Sequence, residues 1–293
     1  MTRCDLRVGM IGLGALGLPM AANLRRADVP LRVHTRSRSP ERDKSLQGSI
    51  ACATPSEAAE DVDVLLVCVS DNAAVEAVLF GTDGACNQLT AGSVVVDCST
   101  IAPATAIACA QRLVQRGVRY LDAPVTGGTE GAKAGSLTVL VGGDPAALER
   151  ARPVLEIIGG TIHHFGAVGR GQQAKAVNQV LVAGSYAAVA EAMALGQRIG
   201  LPMDAVVAAL QGGAAGSWAL SHRANSMLTT SYPLGFRMSL HHKDLGIALD
   251  AAGDVNLDLP VTQLVAELEN DLMQQGHGDE DVSALHRLYS TKS

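Results

Sequence analysis

Two kinds of segment alternate along the chain through about residue 165. Short, nearly continuous apolar runs predict buried β-strands, and longer amphipathic runs between them predict helices. The predicted strands are LRVGMI, LRVHT, VDVLLVCVS, SVVVDCS, RYLDAPV, LTVLVGG and TIHHFG; the predicted helices are AANLRRAD, NAAVEAVL, PATAIACAQRLVQRG and PAALERARPVLEII. This alternation indicates a parallel sheet covered by helices on both faces.

The strand signal disappears from Gly169 onward, where helical periods are separated by turn segments rich in Gly and Pro. We therefore predict a Rossmann-type α/β domain that binds a dinucleotide over residues 1–168. An all-helical domain follows over residues 169–293, and a long helix joins the two.

The long predicted helix carries one charge, Lys175, in the apolar run GQQAKAVNQVLVAGSYAAVA of residues 171–190. Apolar residues that include Val177 and Leu181 have the spacing of a helix that is covered. Asn178 follows the lysine by three residues and shares its side of the helix. An ammonium and an amide together on a covered helix indicate a functional site, although a lone lysine is ordinarily solvated.

Composition places the chain among soluble globular proteins, since 47% of its 293 residues are apolar and 18% are charged. A net charge of −6 and 3% aromatic residues argue against a nucleic-acid partner. The amino terminus lacks a signal-peptide pattern, and residues 171–190 are too short and too polar to span a bilayer. We expect a cytoplasmic protein without membrane contact.

The six cysteines all lie in the first half of the chain and form no CxxC pair. This distribution predicts reduced, buried thiols and neither a disulfide framework nor a metal site.

A glycine motif follows the first strand directly and precedes a helix. In GxGxxG the first glycine permits a tight turn, the second lets the backbone approach a pyrophosphate, and the third lets the helix pack on the strand. We predict cofactor contacts along the whole turn: Gly12, Leu13, Gly14, Ala15, Leu16 and Gly17. The alternative is a plain glycine turn in an α/β domain.

The end of the second strand predicts which cofactor binds. An acidic residue there binds the ribose of NAD, whereas a basic residue accommodates the 2′-phosphate of NADP. This strand runs into Arg36 and Arg38, with no carboxylate before Glu41. The pattern favours NADP through Arg36, with NAD possible; an exposed basic turn is the alternative, above all for Arg38.

The segment DAPVTGG offers a hydroxyl beside two unobstructed backbone amides, at Thr126, Gly127 and Gly128. Such groups can hold a carboxylate. A hairpin turn would give the same pattern.

These features, together with GRGQQAKAVNQ and FRMSLHHKDLGIAL, resemble the β-hydroxyacid dehydrogenase family over nearly the whole chain. The family includes hydroxyisobutyrate dehydrogenases, tartronate semialdehyde reductases and glyoxylate/succinic semialdehyde reductases. The resemblance implies that Lys175 is the catalytic proton donor and acceptor and that Asn178 orients the substrate. It also implies that Thr126, where the family usually has Ser, holds the substrate carboxylate. Gln179 stands where the family often has a second Asn, and we expect its side chain to face away from Asn178.

The resemblance implies further contacts that the residues alone would not single out. These are cofactor contacts at Val69, Ser70, Thr100 and Lys243, and a substrate contact at Asp244. The segment GGAAGSWAL looks most like the tartronate semialdehyde and hydroxyisobutyrate branch.

The implied activity is interconversion of a short 2- or 3-hydroxy acid with its semialdehyde or oxo acid, by a homodimer or homotetramer. A glyoxylate/succinic semialdehyde reductase is an alternative within the family, and a non-catalytic module that binds a dinucleotide is an alternative of another class. Imine reductases replace the lysine, and a 6-phosphogluconate dehydrogenase would need a cationic pocket that the sequence does not show.

Four histidines compete for proton transfer, but we expect structural or surface roles for most of His163, His164, His241 and His242.

Overall fold

The computed structural model describes residues 5–37 and 44–289. The chain forms two compact units, residues 1–175 and 176–293. The division falls inside one continuous helix, Arg170–Arg198, which is the long joining helix that the sequence predicts. A domain boundary after residue 168 stays a prediction.

The described residues of the first unit form nine strands and the helices between them. The strands are β1 (Val8–Ile11), β2 (Leu31–His34), β3 (Ile50–Ala51), β4 (Val64–Val67), β5 (Val94–Asp97), β6 (Arg119–Asp122), β7 (Val125–Thr126), β8 (Leu137–Gly143) and β9 (Gly159–His164). The helices are α1 (Gly17–Arg26), α2 (Pro55–Ala58), α3 (Asn72–Phe80), α4 (Pro103–Val114), α5 (Gly128–Ala134) and α6 (Pro145–Ile158), and α7 (Arg170–Arg198) begins here.

The sheet has the order β3-β2-β1-β4-β5-β6-β8-β7, with β9 beside β8. Strands β1 to β6 pair in parallel, and their order is that of a dinucleotide-binding fold. The sheet is not parallel throughout, because β8 runs antiparallel to both β6 and β7. The predicted strand RYLDAPV is two strands, which part at Ala123 and Pro124. Proline has no N–H for a ladder, so a continuous strand is disfavoured there.

Alternate residues of the central strands pack against opposite layers of helices. Met10 and Leu66 belong to a buried cluster that includes residues of α1 and α6. Ile11 and Leu65 belong to a second cluster with residues of α3 and α4. Both faces of the strands are therefore buried, which explains why they read as continuous apolar runs.

The second unit is helical in the residues that the structure describes, apart from one isolated bridge between Arg237 and Asp281. It contains most of α7, followed by α8 (Met203–Leu210), α9 (Trp218–Leu228), α10 (Met238–Gly253), α11 (Pro260–Gln274) and a 3₁₀-helix (Val282–Tyr289). Its own core includes Tyr186, Met238 and Leu285.

Helix α7 is less covered than its apolar spacing predicts. The side chain of Tyr186 is buried, but Val177 is 65% exposed and Leu181 is 70% exposed. Within the described chain, α7 is also the one helix long and apolar enough to cross a membrane. Core helices of soluble proteins meet the same criterion, so this is weak evidence for a membrane.

Candidate active site

The glycine motif forms the turn between β1 and α1. Gly12 has a φ of +96°, and an added Cβ would collide with the carbonyl oxygen of Cys68. A Cβ on Gly17 would collide with the carbonyl oxygen of Gly12. At Gly14, by contrast, a Cβ would meet no heavy atom of the described residues within 4 Å. The first and third glycines are thus required by the protein's own backbone, and the second leaves open space above the turn.

A dinucleotide fits this turn on three observations. The open space lies at Gly14, where the motif brings a pyrophosphate close to the backbone. The first turn of α1 carries no acidic residue, and the Leu16 cap position makes no side-chain hydrogen bond, so the helix N–H groups can face an anion. Strand β1 also lies between β2 and β4, where the strand order reverses and such folds bind their ligands.

The predicted cofactor residues after β4 and β5 lie at the same edge of the sheet. Ile11, Val67 and Asp97 are neighbours in register, so the loops that follow them start side by side. The Val69 N–H donates to Ser99 Oγ at 3.0 Å, which joins the two loops. Ser70 Oγ donates to Asp71 Oδ2 at 2.7 Å, and Asp71 caps α3. The fold brings Val69, Ser70 and Thr100 toward one edge of the sheet. Their contact with a cofactor stays a prediction.

The end of β2 reaches this edge as well, because His34 pairs in register with Ile11. Arg36 follows two residues later and is exposed. Arg38 lies outside the described residues.

The segment proposed to hold a carboxylate ends β7 and begins α5, so it is not a tight hairpin turn. Gly127 and Gly128 have φ values of +125° and +63°, which favour glycine at both positions. Thr126 pairs with Thr138 of β8. Glu130, which the sequence did not single out, places Oε2 3.0 Å from where a Cβ of Gly128 would stand. The segment therefore has a carboxylate of its own beside it.

Lys175 is 6% exposed and lies one turn after the start of α7. The start of the helix is held by Asp122, whose Oδ1 accepts from the Gly169 N–H and whose Oδ2 accepts from the Gln172 N–H, each at 2.8 Å. Burial raises the pKa of Asp122 to about 6, although these backbone N–H groups act in the opposite direction. Lys175 thus projects from a helix end that is fixed to β6.

Asp97 is a second buried carboxylate and the partner of Asp122 in register between β5 and β6. Its Oδ2 accepts from the Tyr120 hydroxyl at 2.8 Å, and its Oδ1 accepts from the Ser99 N–H at 2.9 Å. Burial raises the pKa of Asp97 to about 6. The sequence signal for both aspartates is a charged residue at the end of a predicted buried strand.

The predicted residues of the second unit are linked through Gln179. Asn178 Nδ2 donates to Gln179 Oε1 at 2.7 Å, and Gln179 Nε2 donates to Asp244 Oδ2 at 2.8 Å. Asp244 Oδ1 lies 2.8 Å from Lys243 Nζ. The expectation that Gln179 faces away from Asn178 is therefore wrong. The longer glutamine stem lets its amide bridge Asn178 to the buried Asp244.

His241 and His164, two of the four candidate histidines, have hydrogen-bond partners within the protein. His241 Nδ1 lies 2.6 Å from Glu269 Oε1, and both side chains are fully buried. His164 Nε2 lies 2.8 Å from the Gly143 carbonyl oxygen. The five cysteines among the described residues are free thiols, and that part of the chain holds no His, Cys, Asp and Glu group suited to a metal ion.

The fold and the glycine turn define a dinucleotide-binding protein, and comparison with known proteins identifies it as a nicotinamide-dependent oxidoreductase and gives its family. Residues 7–166 match the NAD-binding domain of 6-phosphogluconate dehydrogenase, and residues 169–289 match the NAD-binding domain of NADP-dependent 3-hydroxyisobutyrate dehydrogenase. The chain belongs to the β-hydroxyacid dehydrogenase family.

Individual relatives match over nearly their whole length. The chain is 38% identical to 2-hydroxy-3-oxopropionate reductase of Escherichia coli over 281 residues, covering 96% of each chain. It is 36% identical to the NAD-dependent L-serine dehydrogenase of Pseudomonas aeruginosa over 290 residues, covering 97% of each. The crystal structure of 3-hydroxyisobutyrate dehydrogenase from Salmonella typhimurium superposes with a TM-score of 0.89 at 32% identity, covering 97% of this chain and 100% of that one.

Proposed function

We propose that the chain interconverts a short 2- or 3-hydroxy acid and its semialdehyde or oxo acid, as tartronate semialdehyde reductases and 3-hydroxyisobutyrate dehydrogenases do, with NADP as the preferred cofactor. The observation that carries the proposal is a buried lysine, Lys175, on a helix whose start is bonded to the strand that leads into the Thr126–Gly128 segment. The matches to relatives that act on hydroxy acids support it.

The chemistry divides between cofactor and protein. A bound nicotinamide supplies or accepts the hydride, and the protein must orient the carbonyl carbon and handle a proton. In reduction the Lys175 ammonium stabilises the charge that develops on the carbonyl oxygen and donates a proton to it. In oxidation the neutral amine of Lys175 accepts the hydroxyl proton.

The remaining residues bind and orient. The hydroxyl of Thr126 and the backbone amides of Gly127 and Gly128 hold the substrate carboxylate, and Asn178 orients the reacting group. The turn from Gly12 to Gly17, together with Arg36, Val69, Ser70, Thr100 and Lys243, binds the cofactor, and Asp244 contributes to substrate binding.

The proposal extends to the whole protein. We propose a cytoplasmic homodimer or homotetramer with a cofactor domain over residues 1–168 and a helical domain over residues 169–293. The apolar side chains of Val177 and Leu181, exposed in a single chain, support assembly with a second copy. The mass of the native protein in solution tests it, because a species of 30.2 kDa would be a monomer.

The experiment that tests the function is oxidation of NADPH and NADH by the purified protein with a panel of carbonyl compounds. The panel contains tartronate semialdehyde, methylmalonate semialdehyde, succinic semialdehyde and glyoxylate, each beside its methyl ester. We expect turnover of one of the first two acids, and far less of its ester, because the ester cannot present a carboxylate to Thr126, Gly127 and Gly128. A preference for glyoxylate or succinic semialdehyde would favour the other branch. Tight cofactor binding with no turnover of any member would favour a non-catalytic module.

A further inference from the structure

Two buried side chains of the first unit, Gln172 and Asp122, connect the segments that carry its predicted site residues. These segments are the loop around Thr100, the stretch from β6 to Gly128, and the start of α7. Neither side chain is among the predicted substrate or cofactor contacts. Gln172 is 1% exposed and Asp122 is fully buried, so both act inside the protein.

The amide of Gln172 forms hydrogen bonds with the backbone on both sides of Thr100. Its Nε2 donates to the Ser99 carbonyl oxygen at 2.8 Å, and its Oε1 accepts from the Ile101 N–H at 3.1 Å. The side chain thus pairs with the backbone on both sides of one residue, as a neighbouring strand would. Because Ser99 Oγ also accepts from the Val69 N–H, this pairing extends to the loop after β4.

Asp122 holds the backbone of the same helical turn. Its two carboxylate oxygens accept from the N–H groups of Gly169 and Gln172, so neither oxygen is left without a donor. A side chain at Gly171 would collide with the carbonyl oxygens of Leu140 and Asp122, so the helix start is seated directly on the sheet. Gln172 is therefore fixed at its backbone by Asp122 and at its amide by the Thr100 loop.

Lys175 lies three residues after Gln172, on the next turn of the helix and on the same side. The helix rises about 1.5 Å per residue, so only about 4.5 Å along its axis separates the clamped residue from the lysine. A displacement of Gln172 relative to the Thr100 loop would therefore displace Lys175 by a similar distance.

We propose that Gln172 and Asp122 are positioning residues that set where the Lys175 amine stands relative to the Thr100 loop, and hence to the nicotinamide. This inference rests on the proposed function. Gln172 couples the cofactor loop to the helix, and Asp122 fixes the helix to the strand that leads into the substrate segment. Neither residue touches the reacting atoms.

The test is Gln172→Met, which keeps the length of the side chain and removes both amide bonds. Its matched control is Gln173→Met on the same turn, where the Gln173 side chain is exposed and its Oε1 accepts from Arg170 Nη1 at 2.9 Å. For each variant we would measure kcat, the cofactor Kd by fluorescence titration of folded protein, and the primary isotope effect with reduced cofactor deuterated at the transferred position.

We expect Gln172→Met to lower kcat by about ten- to a hundredfold, since a displacement of about 1 Å can cost a factor of 10² in rate. The isotope effect on kcat should rise because hydride transfer becomes slower relative to the other steps. The cofactor Kd should change much less than kcat, and Gln173→Met should behave as the wild type. A second variant, Gln172→Asn, keeps the amide on a shorter stem and should show a smaller loss of the same kind.

Wild-type kcat in folded Gln172→Met would overturn the inference. Equal losses of cofactor affinity and kcat would also overturn it, because they would indicate a general structural role. If Gln172→Met does not fold, Gln172→Asn is judged by the same two criteria. Failure of the proposed function is a separate result, because it would appear as no turnover by the wild-type protein with any hydroxy acid or semialdehyde.

Discussion

A carboxylate that belongs to the protein lies beside the segment proposed to bind the substrate's carboxylate. The Glu130 side chain approaches Gly128 and accepts from Thr129 Oγ1 at 3.2 Å. Two negative charges near one set of backbone amides repel each other, so Glu130 should weaken substrate binding. Its exposure to water limits the size of that effect.

We therefore expect Glu130→Gln to lower the KM for the acid substrate by about two- to fivefold, the range that corresponds to an exposed charge interaction. The KM for the corresponding methyl ester should not change. Steady-state kinetics with both compounds checks this, and Glu156→Gln, an exposed glutamate of α6, is the matched control. An unchanged or higher KM for the acid would show that Glu130 does not oppose the substrate carboxylate.

Arg36 is the residue that we propose determines the cofactor preference. A guanidinium can bind the 2′-phosphate of NADP with two charge-assisted hydrogen bonds, whereas the ribose of NAD offers only hydroxyls. Arg36→Ala should weaken NADPH binding by about ten- to a hundredfold and leave NADH nearly unchanged. Measurement of kcat/KM for both cofactors with wild type and variant decides it, and a wild-type preference for NADH would contradict the assignment.

At the scale of elements, β5 and β6 each end in a buried aspartate, and the two are partners in register. Burial raises the pKa of Asp97 and of Asp122 to about 6. In the unfolded chain an aspartate titrates near 3.9, so the folded protein binds these protons more tightly. This tighter proton binding stabilises the folded state. The stabilisation is complete below about pH 4 and is lost as the pH rises through about 6.

Asp97→Asn isolates this effect because an amide does not titrate. Relative to that variant, the wild type should lose free energy of unfolding as the pH rises from about 4 to about 6, by at most about 3 kcal/mol. Urea unfolding of both proteins across this range measures the difference. If the free energy of unfolding of the wild type rises with pH relative to that of the variant, or does not change relative to it, the raised pKa of Asp97 is contradicted.

The elements differ in how far the sequence could predict them. Continuous apolar runs identify β1, β4 and β5 because both faces of these strands are buried. The sequence does not predict strand β3, which has two residues, both exposed, or helix α5, which spans only Gly128–Ala134. The glycine turn could be predicted because its residues are neighbours in the chain. Gln172 could not, since its partners Ser99 and Ile101 are 73 and 71 residues away.

At the scale of the whole molecule, two units have separate cores and share one continuous helix. Lys175 ends the first unit and Asn178 lies near the start of the second, so the two predicted catalytic residues belong to a single secondary-structure element. The proposed reaction depends on the chemistry of that helix.

The measurement that tests this assignment most directly is the turnover of Lys175→Ala, with Lys133→Ala, an exposed lysine of α5, as the matched control. Loss of a general acid–base group typically costs ~10² to 10⁴ in rate, so kcat of Lys175→Ala should fall by that factor. Its cofactor Kd should stay close to that of the wild type, because the amine acts on the substrate's oxygen, and Lys133→Ala should retain full activity. Turnover by Lys175→Ala near the wild-type rate would remove this lysine from the mechanism.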